Sequence, residues 1–598
     1  MTQTNRTVPA GSGCVNEATT STVPPRSLQR SPTSSLWHRL EQKWNDIQVG
    51  RQGSYSVERL ESFDRYCKTT SRTRVILVCV LTPIPALAAA LGLECLPLQP
   101  PSTGWAANWM FWIRFSLMVF ILTFAGIAAF NLFVPNFGLT VRRRVLVASG
   151  TCVGYVGTCL LVAATEVVGF PIPFIWQGGG LLVGVYTPLM FLIVFGATRF
   201  AKDSPFRPHI RRYLRLLFAY MSLGAVFPLY KLLYESVPDA YKVGALILLP
   251  LWKFAAKHYI MWASRELEDF IPVIVALTVD FFSAMFVSVC ISSSGSTYLS
   301  MLFIAIDVGQ TLLEFREVRV NAKTVLELLE TRQESPSDND IAPSQIQTPS
   351  LLSRTVAITR NPGAYSVTSL KRTRLWACLP HPITVEQGEQ IQALDTSGVY
   401  GSKGLLSTRR QRSRRKSRAI HRSLHASAYV KSTSIVPEVY SNSLDSANTT
   451  GGRSKAENKP RELVVQSLEL LFHCEYLVLV EYVECVIPLV FASNKLALRQ
   501  LPNAVYYPGG ATNWALAALA NIFIFASLEI GSLLLLNYFF QRKFAFSSLY
   551  QLAFALETSM DFVQSALFLE IVGLLQYELV HLGADFTFRF EWLRDNSL

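Results

Sequence analysis

The sequence predicts an all-α, polytopic transmembrane helical bundle of about 11 spans, or about 10 if one acidic run stays out of the bilayer, with disordered cytoplasmic segments. Three observations carry this. First, only 16% of the 598 residues are charged and 50% are hydrophobic, whereas a soluble chain carries about a quarter charged residues. Second, apolar runs of roughly 20 residues recur, the length that crosses about 30 Å of hydrocarbon as a helix. Third, Lys and Arg alternate between successive short loops, as they do when basic loops stay on the cytoplasmic side.

The N-terminal segment, 1–73, begins polar and rich in Ser, Thr and Pro, with no apolar signal-peptide core. Two amphipathic stretches follow. In "LWHRLEQKWNDI", Leu36, Leu40, Trp44 and Ile47 share a helical face; in "SVERLESFDRYC", Val57, Leu60, Phe63 and Cys67 do the same. Both are expected at the cytoplasmic interface with the apolar face among headgroups.

A first bundle of eight spans is expected over 74–315, at 75–93, 109–134, 145–167, 174–197, 213–234, 241–262, 270–291 and 297–315. The loop charges agree with one another. Arg65, Lys68, Arg72 and Arg74 precede the first span, and 94–108 has no Lys or Arg. Arg142, Arg143 and Arg144 follow the second span; Arg199, Lys202, Arg207, Arg211 and Arg212 follow the fourth. This pattern places the N-terminus in the cytoplasm. "WQGGG" at 176–180 lacks the Lys of a phosphate loop and reads as a site of close helix packing.

A charged helix is expected over 316–332, then a disordered basic cytoplasmic linker over 333–460. In that linker basic residues outnumber acidic ones two to one. Its densest part holds Arg409, Arg410, Arg412, Arg414, Arg415, Lys416, Arg418 and Arg422, with Ser413 and Ser417 among them. One reading is a solvated linker. The other is a lipid-contacting patch, since each basic residue near anionic lipid of the cytoplasmic leaflet contributes about 1 kcal/mol. A basophilic kinase acting on Ser413 or Ser417 would weaken such docking. Nucleic acid is not an expected partner, because aromatics do not interleave the arginines.

A second bundle of about three spans is expected over 461–576, at 475–493, 512–538 and 549–575, before a C-terminal tail at 577–598. The first of these contains "HCEYLVLVEYVECV", residues 473–486, with one His, two Cys and three Glu. As a helix it puts Cys474, Glu481 and Cys485 on one face. Cys474 and Glu481 are then about 10 Å apart along the axis, so one helix cannot wrap one metal ion with that set.

Carboxylates recur at membrane depth, where ionisable groups are costly and face the bundle or water. The candidate ion or polar path is Asp280, Asp307, Glu481, Glu484, Glu557 and Asp561. Glu557 and Asp561, four residues apart, are expected to share a helical face. Glu529, Glu570, Arg114 and Lys253 also fall within spans. The alternative is interhelical hydrogen bonding and Arg114–carboxylate pairing. No catalytic, cofactor or metal motif is present: GxSxG, HExxH, Walker A, DFG and Rossmann patterns are all missing, so an enzyme is not expected.

"LESFDRYCKTTSRTRVILVCVLTPIPAL" (60–87), "LLFHCEYLVLVEYVECVIPLVF" (470–491) and "LPNAVYYP" (501–508) resemble an uncharacterised multi-pass membrane protein family of oomycetes. The resemblance implies a membrane location and no chemistry. Transport of a small solute or ion along the carboxylate path is the leading functional expectation. A non-transporting receptor or scaffold regulated through its basic, phosphorylatable loop is the alternative.

Overall fold

A computed structural model of the chain describes residues 48–165, 168–238, 242–293, 297–330, 351–400, 453–508, 510 and 516–584. Among them every regular element is a helix. The polybasic patch, Ser413, Ser417 and the first amphipathic stretch at 36–47 lie outside the described residues.

Helix α1 (Val57–Thr69) is capped by Ser56, whose side chain accepts from Arg59 N. Helix α2 (Arg72–Glu94) starts at a second Ser cap and breaks at Pro83, as an interior Pro requires. Next come α3 (Trp109–Phe133), α4 (Val141–Ala163) and α5 (Ile175–Phe195). Helices α6 (Arg207–Ser236), α7 (Lys242–Ser264), α8 (Glu268–Ser292) and α9 (Thr297–Glu330) follow. Two short helices, α10 (Leu351–Arg360) and α11 (Val385–Thr396), precede α12 (Arg453–Leu498) and α13 (Leu516–Phe544). The last two are α14 (Ser548–Thr558) and α15 (Met560–Gln576).

Among the described residues seven helices are long and apolar enough to cross a membrane: α2, α3, α4, α5, α8, α12 and α13; the bent pair α14–α15 makes up to eight. They fit a multi-pass integral membrane protein. The three other expected spans are helices too, α6, α7 and the first half of α9, but they are not among those seven.

Two helices form the centre. The apolar window of α8 is 94% buried and that of α12 83%, against 17% for α5 and 22% for α2. The outer helices expose large apolar side chains instead, including Val153, Leu161, Leu181 and Phe218. An unpaired apolar exterior around a dense interior is what a helix bundle presents to lipid. Close packing inside uses glycine where expected. A Cβ on Gly179, within "WQGGG", would strike the Tyr155 ring and hydroxyl.

Three expectations are corrected. The stretch 57–67 is α1, but its apolar face is not among headgroups: Val57, Leu60 and Phe63 are buried at 0–1% exposure. They pack inside the protein, with Phe63 against Phe554 of α14. Its polar side is buried as well, at Glu58, Arg59, Glu61 and Asp64, so the helix is protein-enclosed.

The span 333–460 is not linker throughout. Residues 351–400 fold onto α1 and one end of the bundle. Arg374 grips Asp269 with two hydrogen bonds, at 3.0 and 2.9 Å. Arg360 grips Glu61 at 2.8 and 2.5 Å. Glu58 accepts from the backbone N–H of Ala377 and of His381. Leu351, Leu352, Val356 and Ile358 supply the apolar contact. The polar composition concealed a fold because its charges find partners at a distance in sequence.

The segment after 576 is not wholly a tail. Tyr577, Leu579, His581 and Leu582 are buried, and Gly583 O accepts from Phe174 N at 2.9 Å.

Candidate functional site: a buried carboxylate and lysine cluster

The stretch that holds most of the acids, 473–486, is buried over nearly its whole length on α12. Its polar side chains serve different neighbours. Glu475 pairs with Arg59 of α1 at 2.5 Å and also accepts from the Tyr55 hydroxyl. His473 contacts Asn321 of α9 through Nδ1 at 3.0 Å. Glu481 accepts from Ser532 of α13. Glu484 accepts from Lys253 Nζ of α7 at 2.9 Å.

Lys253 opens into the cluster. With Lys257, one turn away on the same face of α7, it brackets Asp280 of α8: the two ammonium nitrogens lie 3.2 and 2.9 Å from Asp280 Oδ1. Lys257 also reaches Glu314 of α9 at 3.9 Å and donates to the Tyr476 hydroxyl at 2.5 Å. Asp280 ends a π-helical turn, Ala276–Asp280. Such a turn carries an extra residue and rotates the helix beyond it, a device common at functional sites.

On the other side of Glu484 stand Asp307 of α9 and Glu529 of α13. One oxygen from each of Asp307, Glu484 and Glu529 lies within 4.8 Å of the other two. Asp307 and Glu529 lie close enough to share a proton. Asp307 Oδ2 and Glu529 Oε2 are buried with no other hydrogen-bond partner, as is Asp280 Oδ2.

The charges do not balance. Asp280, Asp307, Glu314, Glu481, Glu484 and Glu529 face only Lys253 and Lys257 among the described residues. Four of the six, Asp280, Glu481, Glu484 and Glu529, are fully buried, while Asp307 and Glu314 are half-buried; a buried unpaired carboxylate is costly, so the excess favours bound protons or a bound cation.

Two small cavities touch the cluster, one at each lysine. A space of about 30 Å³ is lined by Lys257, Glu314, Glu317, His473 and Tyr476, with Gln48 and Gly50. Another of about 10 Å³ is lined by Lys253, Asp307, Ser283 and Gln310. A single water needs roughly 10–15 Å³ on this measure. The first therefore takes water, and the second is at the limit for one molecule. At the rim of the larger space, beyond the apolar part of α9, burial pushes the Glu317 carboxyl up to about 7 against the pull of Arg51.

Four of the six residues expected on the path meet here: Asp280, Asp307, Glu481 and Glu484. Glu557 and Asp561 do not. The chain leaves helical geometry at Ser559, and α14 and α15 meet at 84°, so the shared face that four-residue spacing implies does not exist. Glu557 accepts from Tyr66 at 2.5 Å and Arg74 at 2.9 Å. Asp561 instead neighbours Arg144.

Glu314, Lys257 and Glu529 complete the cluster without having been assigned to the path. Two spacings carried a signal for them: Lys253 and Lys257 are one turn apart, and Asp307 and Glu314 are two turns apart.

Arg114 is a separate matter. It pairs with Glu94 at 2.5 Å, and Glu94 also accepts from Tyr507 at 2.5 Å. This closed group ties α2, α3 and the 502–508 loop together.

The fold and site define an all-helical, multi-pass membrane protein with a charge-imbalanced interior. No family model matches the chain, and neither a curated protein nor a solved structure is significantly similar to it.

Proposed function

We propose that the protein carries protons across its membrane, with the carboxylate and lysine cluster as the protonation site. The observation that carries this reading is the charge imbalance: more buried carboxylates than buried ammonium groups, joined in one network by Lys253, Glu484 and the Asp307–Glu529 pair. Carboxylates facing a bundle interior are the usual parts of proton relays. The water-sized spaces on either side favour a proton over an organic solute. Lys253 and Lys257 act as tethered counter-ions that hold Asp280 and Glu484 in place as protons come and go. In this reading α6, α7 and the first half of α9 also cross the bilayer, giving the eleven crossings the sequence suggests, with the basic loops inside.

The test is proton flux in proteoliposomes with an imposed pH difference, read by an entrapped pH dye. The wild-type chain should dissipate the gradient at least about tenfold faster than empty vesicles, an effect of the size expected for a relay group. Asp307→Asn and Glu484→Gln should return the rate to background. Glu557→Gln, outside the cluster, should leave it unchanged. Flux that survives both cluster variants, or no flux in the wild type, rejects the reading and favours a receptor or scaffold.

A further inference from the structure

At one end of α4 and α5 stand two cations, Arg143 and Arg199, that no acid answers among the described residues. Arg143 lies in the first turn of α4, two residues after the exposed Val141, and Arg199 follows the end of α5. Arg143 donates to Gly138 O at 2.8 Å and Arg199 to Phe137 O. Both guanidinium groups lie over the same Phe195 ring, with Cζ at 5.3 and 5.4 Å from its centroid. Carbonyl contacts and a shared ring fix the two groups side by side. They do not neutralise them.

Both guanidiniums also close on the same glycine: a Cβ on Gly138 would lie 3.3 Å from Arg143 Nη1 and 3.4 Å from Arg199 Nη1, so the two groups are near neighbours over one turn of backbone. Gly138 has φ +83°, a conformation that favours glycine. Among the described residues neither Arg143 nor Arg199 has a carboxylate partner. The nearby Arg212 and Arg215, by contrast, share Glu266. Two like charges held side by side without a carboxylate are arranged for an anion.

The surroundings select the anion. The pair sits where two exposed apolar faces end: Val141, Val145 and Leu146 on α4, and Leu189, Leu192 and Ile193 on α5. Those faces suit acyl chains, and the arginines lie where they give way to a polar turn. Guanidinium forks match phosphate oxygens, and two of them match a dianion.

We propose that Arg143 and Arg199 bind the phosphomonoester headgroup of an anionic phospholipid, its chains lying along the exposed faces of α4 and α5. The proposal is independent of the proton reading.

The experiment is native mass spectrometry of the full chain, taken from nanodiscs that contain phosphatidylcholine with either phosphatidic acid or phosphatidylserine. The wild type should retain one phosphatidic acid, preferred over phosphatidylserine by about tenfold, because only the monoester offers a second charge on the same phosphate. Arg143→Gln with Arg199→Gln should abolish that preference, and Arg143→Lys with Arg199→Lys should weaken it, since ammonium lacks the fork. Equal retention of the two lipids by the wild type overturns the proposal, whether or not the variants fold. So does undiminished preference in a folded glutamine variant. Displacement of the lipid by soluble glycerol 3-phosphate at matched concentration would show that a free phosphate suffices, and would overturn the lipid assignment.

Discussion

Two regions of this protein bury charge in opposite ways. In the cap formed by α1 and residues 351–400, three arginines are each gripped by an acid: Arg59 by Glu475, Arg374 by Asp269, Arg360 by Glu61. Each grip uses two nitrogens and two oxygens. In the cluster between α7, α8, α9, α12 and α13, two lysines serve six acids, and oxygens of Asp280, Asp307 and Glu529 stay unpartnered. Arginine keeps its charge and fixes geometry, while lysine is a mobile point charge. The first arrangement is a clasp. The second leaves room for protons to arrive and leave.

The largest expected effect breaks the clasp. Arg59 and Glu475 have fully buried side chains. Arg59→Met should cost about 3–5 kcal/mol by leaving Glu475 unpaired, read as a loss of thermal stability in detergent. Adding Glu475→Leu should recover most of it. A double variant no better than the single would show that the pair contributes more than mutual neutralisation.

pH separates the regions next. His381 lies against Arg59 in the cap, and burial, aided by that guanidinium, lowers it from 6.5 to about 3. A lowered histidine contributes stability that is present above its ordinary value and fades as pH falls from about 6.5 toward 3. Glu317 has the opposite sign. Raised from 4.5 to about 7, it contributes stability below about 4.5 that fades as pH rises through 7. Hydrogen exchange should therefore show 351–400 opening on acidification and the Glu317 turn of α9 opening on alkalinisation. His381→Asn and Glu317→Gln should flatten the respective profiles. If both segments loosen in the same direction, the contrast fails.

The smallest effect is on cluster stability. Glu529→Gln removes an acid from an acid-rich site, so stability, read by thermal unfolding, should hold or rise by no more than about 1 kcal/mol. A loss comparable to that of Arg59→Met would mean that the cluster is a clasp after all.

Much of this was legible in the chain. Apolar length and basic loops located α2 to α9 and α12 to α15, though not α10 and α11, and the same hydropathy that marks a span makes Asp280, Asp307, Glu481 and Glu484 conspicuous within it. The amphipathic pattern at 57–67 gave α1 correctly as a helix but not its surroundings, because an apolar face suits protein as well as headgroups. Glu557 and Asp561 were misjoined because helical spacing holds only while the helix does, and Ser559 ends it.

By itself, then, the sequence determined the solvent: a chain this apolar, with its cations in alternate loops, belongs in a bilayer, since backbone and hydropathy leave few other solutions. Only the tertiary structure decided which charges meet. Facing depends on the π turn before Asp280, on the bend at Ser559 and on how 351–400 returns to α1. Each is a long-range or local geometric event, and composition and period carry no record of it.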